Sequence, residues 1–518
     1  HSSTTIPNNI RNRVMFIICA NVAQNNHLQK YSPISAVGRK PPRLWRWSVT
    51  KKHYLCTLNR KMEMAELKTP QELGTENIGK LLIRYAVPAI VAMLASSLYN
   101  IVDRAFIGHG VGSMALSGLA VTFPLMNLSA ALGSMVGVGS GTMISLKLGQ
   151  KDNRSAQLLF GNAITLNVII GIAFGALALL FLDPILKLFG ATEATVGYAR
   201  EYMTIILIGN TFTHLYLGTN SVLRAAGKPN KAMAATIGTV LLNTFLDWLF
   251  IMVFHWGIKG AAIATVISQV LAFIWQCTQL SDKSELIHLE KGIFRLRGDL
   301  VRNMLTIGLS PCLMNAAACL VVLLINRGLL SYGGDIAVGA YSIINSMGFL
   351  FVMAVMGFTQ AMQPIAGYNY GARHYGRVLS VFHKTLLCGT IVTTIGFLIS
   401  ELMPDLCIGI FTNDSELAAI SRHGMRVNFL VFPLIGSQIV ISNLFQSIGM
   451  PVKSIIMSLS RQVLMLIPLL IILPRFYGID GIWYSMPISD ALSVILGFAF
   501  IIPQERKLKS MAQQENNQ

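Results

Sequence analysis

The stretch "WGIKGAAIATVIS", residues 256–268, decides the fold, because the chain repeats it as "YGIDGIWYSMPIS" at residues 477–489. A second motif, "RAAGKP" at 224–229, returns as "QSIGMP" at 446–451. The two pairs are separated by 221 and 222 residues, and a nearly constant offset between distant segments indicates an internal duplication. We therefore expect two halves with the same fold, each built from the same number of elements.

Composition indicates that this fold lies in a lipid bilayer. Of the 518 residues, 53% are hydrophobic and 12% are charged, and the mean hydropathy is +0.57. A soluble protein carries about 25% charged residues. The seven cysteines include no Cys-x-x-Cys pair, so the sequence indicates neither a disulfide framework nor a metal site of that kind.

The net charge of +18 is unevenly distributed along the chain. Residues 1–61 contain eleven Lys or Arg and no Asp or Glu, and the remaining positive charge lies in short loops between apolar segments. This distribution argues against a nucleic-acid-binding protein. We expect residues 1–61 to be a basic, non-native or disordered tail, because the segment from Met62 reads like an ordinary start; a basic arm that binds anionic partners is the alternative.

Twelve apolar segments are long enough to span a bilayer. They lie near residues 82–107, 115–146, 156–182, 197–224, 231–254, 257–280, 300–330, 336–366, 377–402, 417–446, 452–474 and 482–503. Almost none alternates strictly between polar and apolar residues, which favours helices over barrel strands. The predicted fold class is an all-α polytopic membrane protein with two six-helix lobes, residues 62–290 and 291–518. Because six is even, a pseudo-two-fold axis along the membrane normal relates the lobes.

The placement of Lys and Arg predicts the orientation of the spans. With residues 62–84 in the cytoplasm, the basic positions collect on the cytoplasmic side, at Lys147, Lys151, Arg154, Lys228, Lys231 and the cluster from Lys283 to Arg302. The opposite loop around residues 401–416 is acidic. Both termini are therefore expected inside the cell.

Polar residues at one depth of the first lobe predict a cation site. The segment "LLNTFLDWLFIMVF", residues 241–254, carries Asn243 and Asp247 one helical turn apart. An ionisable side chain at membrane depth costs about 2.5–3.5 kcal/mol on insertion scales, so it suggests a function. Counted at about 1.5 Å per residue, Asp103, Tyr202 and Thr265 reach the same outer half of the lobe. These oxygen-rich groups suit a proton on a carboxylate, or Na⁺ at Asp103, Asn243 and Asp247.

The second half of the repeat serves as an internal control. The counterparts of Asp103, Tyr202, Asn243, Asp247 and Thr265 are, in that order, Asn326, Gly424, Met465, Leu469 and Met486. A purely structural need of the scaffold would appear in both halves, so a task specific to the first half is favoured. Hydrogen-bonded contact between helices is the alternative.

Several motifs, in order along the chain, resemble the multidrug and toxic-compound extrusion (MATE) family of bacterial type. They are "SLYNIVDRAFIGHGVG" at 97–112, "GVGSGTMISLKLGQKD" at 137–152, "VLRAAGKP" at 222–229, "LLNTFLDWLFI" at 241–251 and "QPIAGYNYGAR" at 363–373. The resemblance covers residues 80 to 506, essentially the whole membrane part. Family members use an aspartate on the first helix, a tyrosine on the fourth, an Asn-x-x-x-Asp pair on the fifth and a threonine on the sixth, which matches the five residues above.

The resemblance implies a secondary active transporter that exports small cationic amphiphilic compounds or drugs by antiport with Na⁺ or H⁺. It implies no cofactor beyond the coupling ion and no enzyme activity. We expect a monomer in the bacterial inner (plasma) membrane that binds no nucleic acid. Acidic residues known in the second lobe of some branches are missing, since its seventh and eighth spans offer Asn315, Asn326, Gln360 and Gln363.

The sequence indicates the substrate-binding surface less clearly than the cation site. Candidate positions are Asn326, the Ser346–Met347 pair, Met353, Gln360 and Gln363, in a stretch rich in Met and Phe that is equally typical of helix packing. Two rival functions stay open. A lipid-linked oligosaccharide flippase would need a cavity rich in Arg and Lys, and a non-transporting receptor or channel would not need an asymmetric acidic site.

Overall fold

The computed structural model describes residues 68–412 and 414–516, and all regular elements in these ranges are helices. The expected tail, residues 1–61, lies outside the described residues. The first half contains a short helix followed by a series of longer ones. They are α1 (Lys68–Thr75), α2 (Ile78–Gly110), α3 (Ser113–Gly149), α4 (Asn153–Leu180), α5 (Leu182–Leu188), α6 (Val196–Ala225), α7 (Pro229–Asp247), which a π-helical segment (Trp248–Val253) continues, and α8 (Gly257–Gln279).

The second half follows the same order with more interruptions. It contains α9 (Gly298–Gly371), α10 (Tyr375–Leu402), α11 (Pro404–Gly409), α12 (Ser415–Phe429), α13 (Phe432–Ser447), α14 (Pro451–Leu459), a π-helical segment (Ser460–Leu466), α15 (Ile467–Ile472), α16 (Pro474–Tyr477) and α17 (Ile479–Asn516). The helix α9 is continuous except at Gly334, whose φ of 68° and ψ of −168° are not helical. Two spans therefore meet at this glycine.

The helices account for twelve crossing segments. Within residues 68–412 and 414–516, nine helices are long and apolar enough to span a bilayer, and α12 with α13 forms a tenth that bends by 51°. The long helix α9 supplies two spans because of its break at Gly334. The twelfth is α6, whose apolar character is diluted by polar residues such as Arg200, Glu201 and His214. The protein is therefore a multi-pass membrane protein.

The internal repeat is visible in the turns that precede α7 and α14. Each helix starts with a proline at its first position, Pro229 and Pro451, where the missing N–H is not needed. Two residues earlier, Gly227 and Gly449 adopt φ of 85° and 72°, a conformation that glycine tolerates without steric cost. The motifs "RAAGKP" and "QSIGMP" thus fold into the same turn.

The two lobes meet at the end of the molecule that carries the linker between them, residues 280–297. There α3 crosses α9 so closely that a Cβ on Gly139 would lie 2.0 Å from the Met304 carbonyl oxygen, and one on Gly308 would lie 1.8 Å from the carbonyl oxygen of Met135. The same pair of helices crosses again at Gly149 and Gly371. At the opposite end, glycines such as Gly118 and Gly328 meet atoms of their own lobe.

The linker is hydrogen-bonded to helix α4 of the first lobe. The Asn162 side chain accepts a hydrogen bond from the Arg297 backbone N–H at 2.8 Å and donates to the Arg295 carbonyl at 3.1 Å. Thr165 donates to the Phe294 carbonyl at 3.0 Å. These contacts lie after residue 290, where the sequence places the lobe boundary, and that boundary stays a prediction.

Candidate cation site

The structure brings all five residues of the predicted cation site together inside the first lobe. Asp103 on α2, Tyr202 on α6, Asn243 and Asp247 on α7, and Thr265 on α8 are each buried, with 7% or less of their surface exposed. The helix α7 packs against both α2 and α8, and α8 packs against α6. Each of these four helices thus contributes at least one polar side chain to the same buried region of the lobe.

The Asn243 amide orients the Asp247 carboxylate. In the orientation that satisfies both ends of the amide, its nitrogen donates to Asp247 Oδ2 at 2.9 Å and its oxygen accepts from the Thr265 backbone N–H at 3.2 Å. One carboxylate oxygen of Asp247 is thereby held in place. The i,i+4 spacing in α7 is what allows this contact.

Tyr99 is a sixth member of the site, and the sequence patterns did not predict it. Its hydroxyl lies 3.2 Å from Thr265 Oγ1. Tyr99 precedes Asp103 by four residues, so the two lie on one face of α2. That spacing was the available signal, but a tyrosine in an apolar span is more often a packing residue.

Three buried oxygens of the site have no hydrogen-bond partner among the described residues. They are Asp103 Oδ1, Asp247 Oδ1 and the hydroxyl oxygen of Tyr202. Asp103 and Asp247 are close enough to repel each other electrostatically. The guanidinium of Arg104 lies over the Phe123 ring, 5.4 Å from the centroid, and it also attracts the Asp103 carboxylate electrostatically. Buried polar groups are normally paired, so these oxygens are candidate ligands for a small cation.

The helix geometry changes at Asp247. This residue ends α7, and the chain continues as a π-helix from Trp248 to Val253, with the Phe254 N–H bonded to the Leu249 carbonyl at 2.9 Å. Short π-helical segments occur frequently at functional sites. The second lobe also has a π-helical segment in its corresponding helix, Ser460–Leu466, but it lies earlier in the repeat.

The second lobe holds a different polar contact, which the sequence patterns also did not predict. Arg461 Nε donates to Asp490 Oδ1 at 2.7 Å, and the Asp490 side chain is 5% exposed. Depth counting could have placed both near the middle of the membrane, since Arg461 lies about 14 Å from one face and Asp490 about 12 Å from the opposite face. The pair is neutral overall, so it differs in net charge from the two carboxylates of the first lobe.

The predicted substrate positions divide into two groups. Gln360 and Gln363 face the first lobe, where Gln363 donates to Thr142 Oγ1 at 2.7 Å and Gln360 contacts the Met93 sulfur at 3.5 Å. The other positions are Met347, which packs against the larger hydrophobic core, the exposed Ser346, and the half-buried Met353 and Asn326. The glutamines thus lie at the lobe interface.

Comparison with known proteins defines the family. A family model described as MatE matches residues 88–249 and 308–472. The chain is 24% identical over 425 residues to the multidrug export protein MepA of Staphylococcus saprophyticus, covering 82% of this chain and 94% of that protein. It is 25% identical over 422 residues to MepA of Staphylococcus aureus strain NCTC 8325, covering 82% and 93%.

Solved structures of similar proteins agree with the family model. The MATE multidrug transporter DinF-BH, solved as a complex, is 35% identical with a TM-score of 0.78, covering 84% of this chain and 97% of that one. An outward-facing MATE family transporter is 23% identical with a TM-score of 0.80, covering 86% and 99%. The predicted all-α fold of twelve spans is confirmed.

This chain therefore belongs to the MATE family, which consists of multidrug efflux transporters and not enzymes.

Proposed function

We propose that this protein exports cationic amphiphilic compounds by antiport, with Na⁺ or H⁺ as the coupling ion bound at Asp103, Asp247, Asn243, Tyr202 and Thr265. The observation that carries the proposal is the pair of buried carboxylate oxygens, Asp103 Oδ1 and Asp247 Oδ1, which lack partners among the described residues. A buried charge is costly unless it is paired. A cation supplies the missing partner, and Tyr99 adds a further oxygen to the set.

The charges of the two carboxylates couple cation binding to movement of the lobe. Without a cation, two buried carboxylates repel each other, and the lobe favours a conformation that gives them access to water. Binding of Na⁺ or a proton removes this repulsion and lowers the cost of burial. If substrate binds the cation-free lobe better, the two ligands oppose each other, which is a coupling free energy between two sites.

Alternating access requires that the lobes separate at one end while they close at the other. The close helix crossings, Gly139 with Met304 and Gly308 with Met135, lie at the linker end. Since the Lys and Arg residues also collect at this end, we assign it to the cytoplasm. On this assignment the molecule is closed to the cytoplasm, and both termini lie inside.

The orientation has its own test. A cysteine placed in the loop 189–195 should react with an impermeant maleimide added outside intact cells, and one at residue 283 or 291 should react only after permeabilisation. The opposite pattern overturns the assignment. We also propose that the protein is a monomer in the bacterial plasma membrane. Chemical crosslinking of the labelled cells tests whether it is a monomer.

The transport proposal is tested in proteoliposomes that hold the purified protein. An imposed Na⁺ gradient or pH gradient should drive counterflow of ethidium, a suitable probe because it is an amphiphilic organic cation whose fluorescence can be followed. Uptake that follows one gradient identifies the coupling ion. Movement of the probe that neither gradient affects contradicts antiport. The flippase alternative gains no support from Arg461, because this cation is already paired with Asp490.

A further inference from the structure

A large cavity lies between the lobes at the linker end, well away from the cation site. Its volume is about 1090 Å³, and it is open to solvent on one side. The first lobe contributes the end of α3 with Lys151, and the second contributes Arg302 near the start of α9 and Arg373 just after its end. One cavity thus collects three cationic side chains from two lobes that move relative to each other during transport.

The cations in the cavity are not paired, although a second carboxylate lies near the lining, where Glu515 accepts from the Tyr375 backbone N–H at 3.1 Å. Within residues 68–412 and 414–516, neither Lys151, Arg302 nor Arg373 forms an ion pair within 4.0 Å. The acidic residue in the lining, Asp299, lies 3.2 Å from Arg297. By contrast Lys147, one helical turn before Lys151, is paired with Asp152 at 3.3 Å. The cavity therefore has a net positive charge available to a ligand.

The backbone at two of these cations is unusual. Lys151 and Arg373 adopt φ of 60° and 64°, and they occupy the same position of the repeat, the last residue of "KLGQK" and of "NYGAR". Each lies just after the end of a helix. The backbone N–H of the following residue donates to a carbonyl five residues earlier: that of Asp152 to the Lys147 carbonyl at 2.9 Å, and that of His374 to the Asn369 carbonyl at 2.8 Å. Glycine normally takes this left-handed position, and strain of this kind is associated with functional sites.

We propose that this cavity binds a phosphate-bearing anion that bridges the two lobes. Arginine guanidinium groups match phosphate oxygens with paired hydrogen bonds, and the neighbouring Asn303 in the lining offers a further donor. The anion is either the headgroup of an anionic phospholipid from the adjacent leaflet or free phosphate. Because it contacts Lys151 on one lobe and Arg302 and Arg373 on the other, it stabilises the state in which this end is closed.

The test uses the full chain and measures thermal unfolding. The first arm titrates the detergent-purified protein with sodium phosphate against sodium chloride at equal ionic strength. The second compares nanodiscs of phosphatidylcholine with nanodiscs that also contain phosphatidylglycerol. A triple variant, Lys151→Gln with Arg302→Gln and Arg373→Gln, removes the three positive charges from the cavity. The matched control neutralises three exposed cations on the linker, Lys283, Lys291 and Arg295, all outside the cavity lining.

We expect a saturable rise of Tm in wild type and control, and none in the triple variant. A rise in the phosphate arm identifies free phosphate as sufficient, and a rise only with phosphatidylglycerol identifies the lipid headgroup. If the triple variant fails to fold, Arg302→Lys gives the answer, since it keeps the charge but loses the guanidinium fork and should need a several-fold higher concentration of the same anion. The absence of a saturable rise in both arms, or an equal rise in the triple variant, overturns the proposal.

Discussion

Asn243 donates to Asp247 Oδ2 at 2.9 Å, while the other carboxylate oxygen of Asp247 has no partner among the residues that the structure describes. The amide therefore fixes the direction of the carboxylate without neutralising it. An acid that is held in place through one oxygen while the other stays free is suited to bind and release a cation, and a purely structural acid would have both oxygens bonded.

Tyr99→Phe tests whether the unexpected sixth residue belongs to the site. Removal of the hydroxyl breaks its 3.2 Å contact with Thr265 Oγ1 but keeps the ring. We expect normal expression and a several-fold higher half-saturating concentration of the coupling ion, measured as gradient-driven efflux in proteoliposomes. Tyr198→Phe, on the exposed surface of α6, is the control. An unchanged cation dependence would remove Tyr99 from the site.

Gly139→Ala tests the role of the close helix crossing. A Cβ here would lie 2.0 Å from the Met304 carbonyl oxygen, so the lobes cannot close at this end without displacement of the backbone. We expect efflux to fall at least tenfold while the protein still folds, because each lobe retains its own core. Gly238→Ala on α7 is the matched control, since its added methyl group would meet no atom of the described residues within 4 Å. Full transport by Gly139→Ala would show that this closure is not needed.

Asp490→Asn tests the ion pair of the second lobe. The substitution leaves Arg461 without a counter-charge, and breaking a buried pair costs about 3–5 kcal/mol. Since the Arg461 side chain is 31% exposed, solvent screening reduces the expected loss to about 2–3 kcal/mol, seen as a lower Tm. The double variant Arg461→Met with Asp490→Leu should recover most of the loss. A double variant as unstable as the single one would contradict a pairing role.

Arg377→Gln tests a set of hydrogen bonds that joins the two lobes. From the start of α10, Arg377 Nη2 donates to the carbonyls of Glu76 at 2.7 Å and Leu73 at 3.1 Å, which closes the C-terminal end of α1. Loss of these bonds should speed amide exchange in Lys68–Thr75, measured by hydrogen–deuterium exchange. The same measurement on the exposed Lys507→Gln provides the baseline. Equal exchange in both variants would mean that α1 is held by other contacts.

The sequence was sufficient to predict the fold because repetition and hydrophobic length are properties of the chain itself. The five predicted cation-site residues also come together, since counting residues from the span ends places Asp247, Asp103 and Thr265 at similar depth. Tyr99 could not be found in this way, because a hydroxyl that contacts Thr265 across two helices depends on helix rotation and not on depth. Arg461 and Asp490 escaped prediction for a simpler reason, since their positions fall outside the pattern that the first lobe defines.

The central claim is that Asp247 binds the coupling ion, and the most direct measurement is gradient-driven efflux by Asp247→Asn in proteoliposomes. The variant should insert and fold normally, because asparagine keeps the shape and costs less to bury. Glu193→Gln, at an exposed position of the same lobe, controls for loss of one negative charge. We predict that Asp247→Asn loses gradient-driven efflux while Glu193→Gln retains it. Full gradient-driven efflux by a well-folded Asp247→Asn variant would contradict the account.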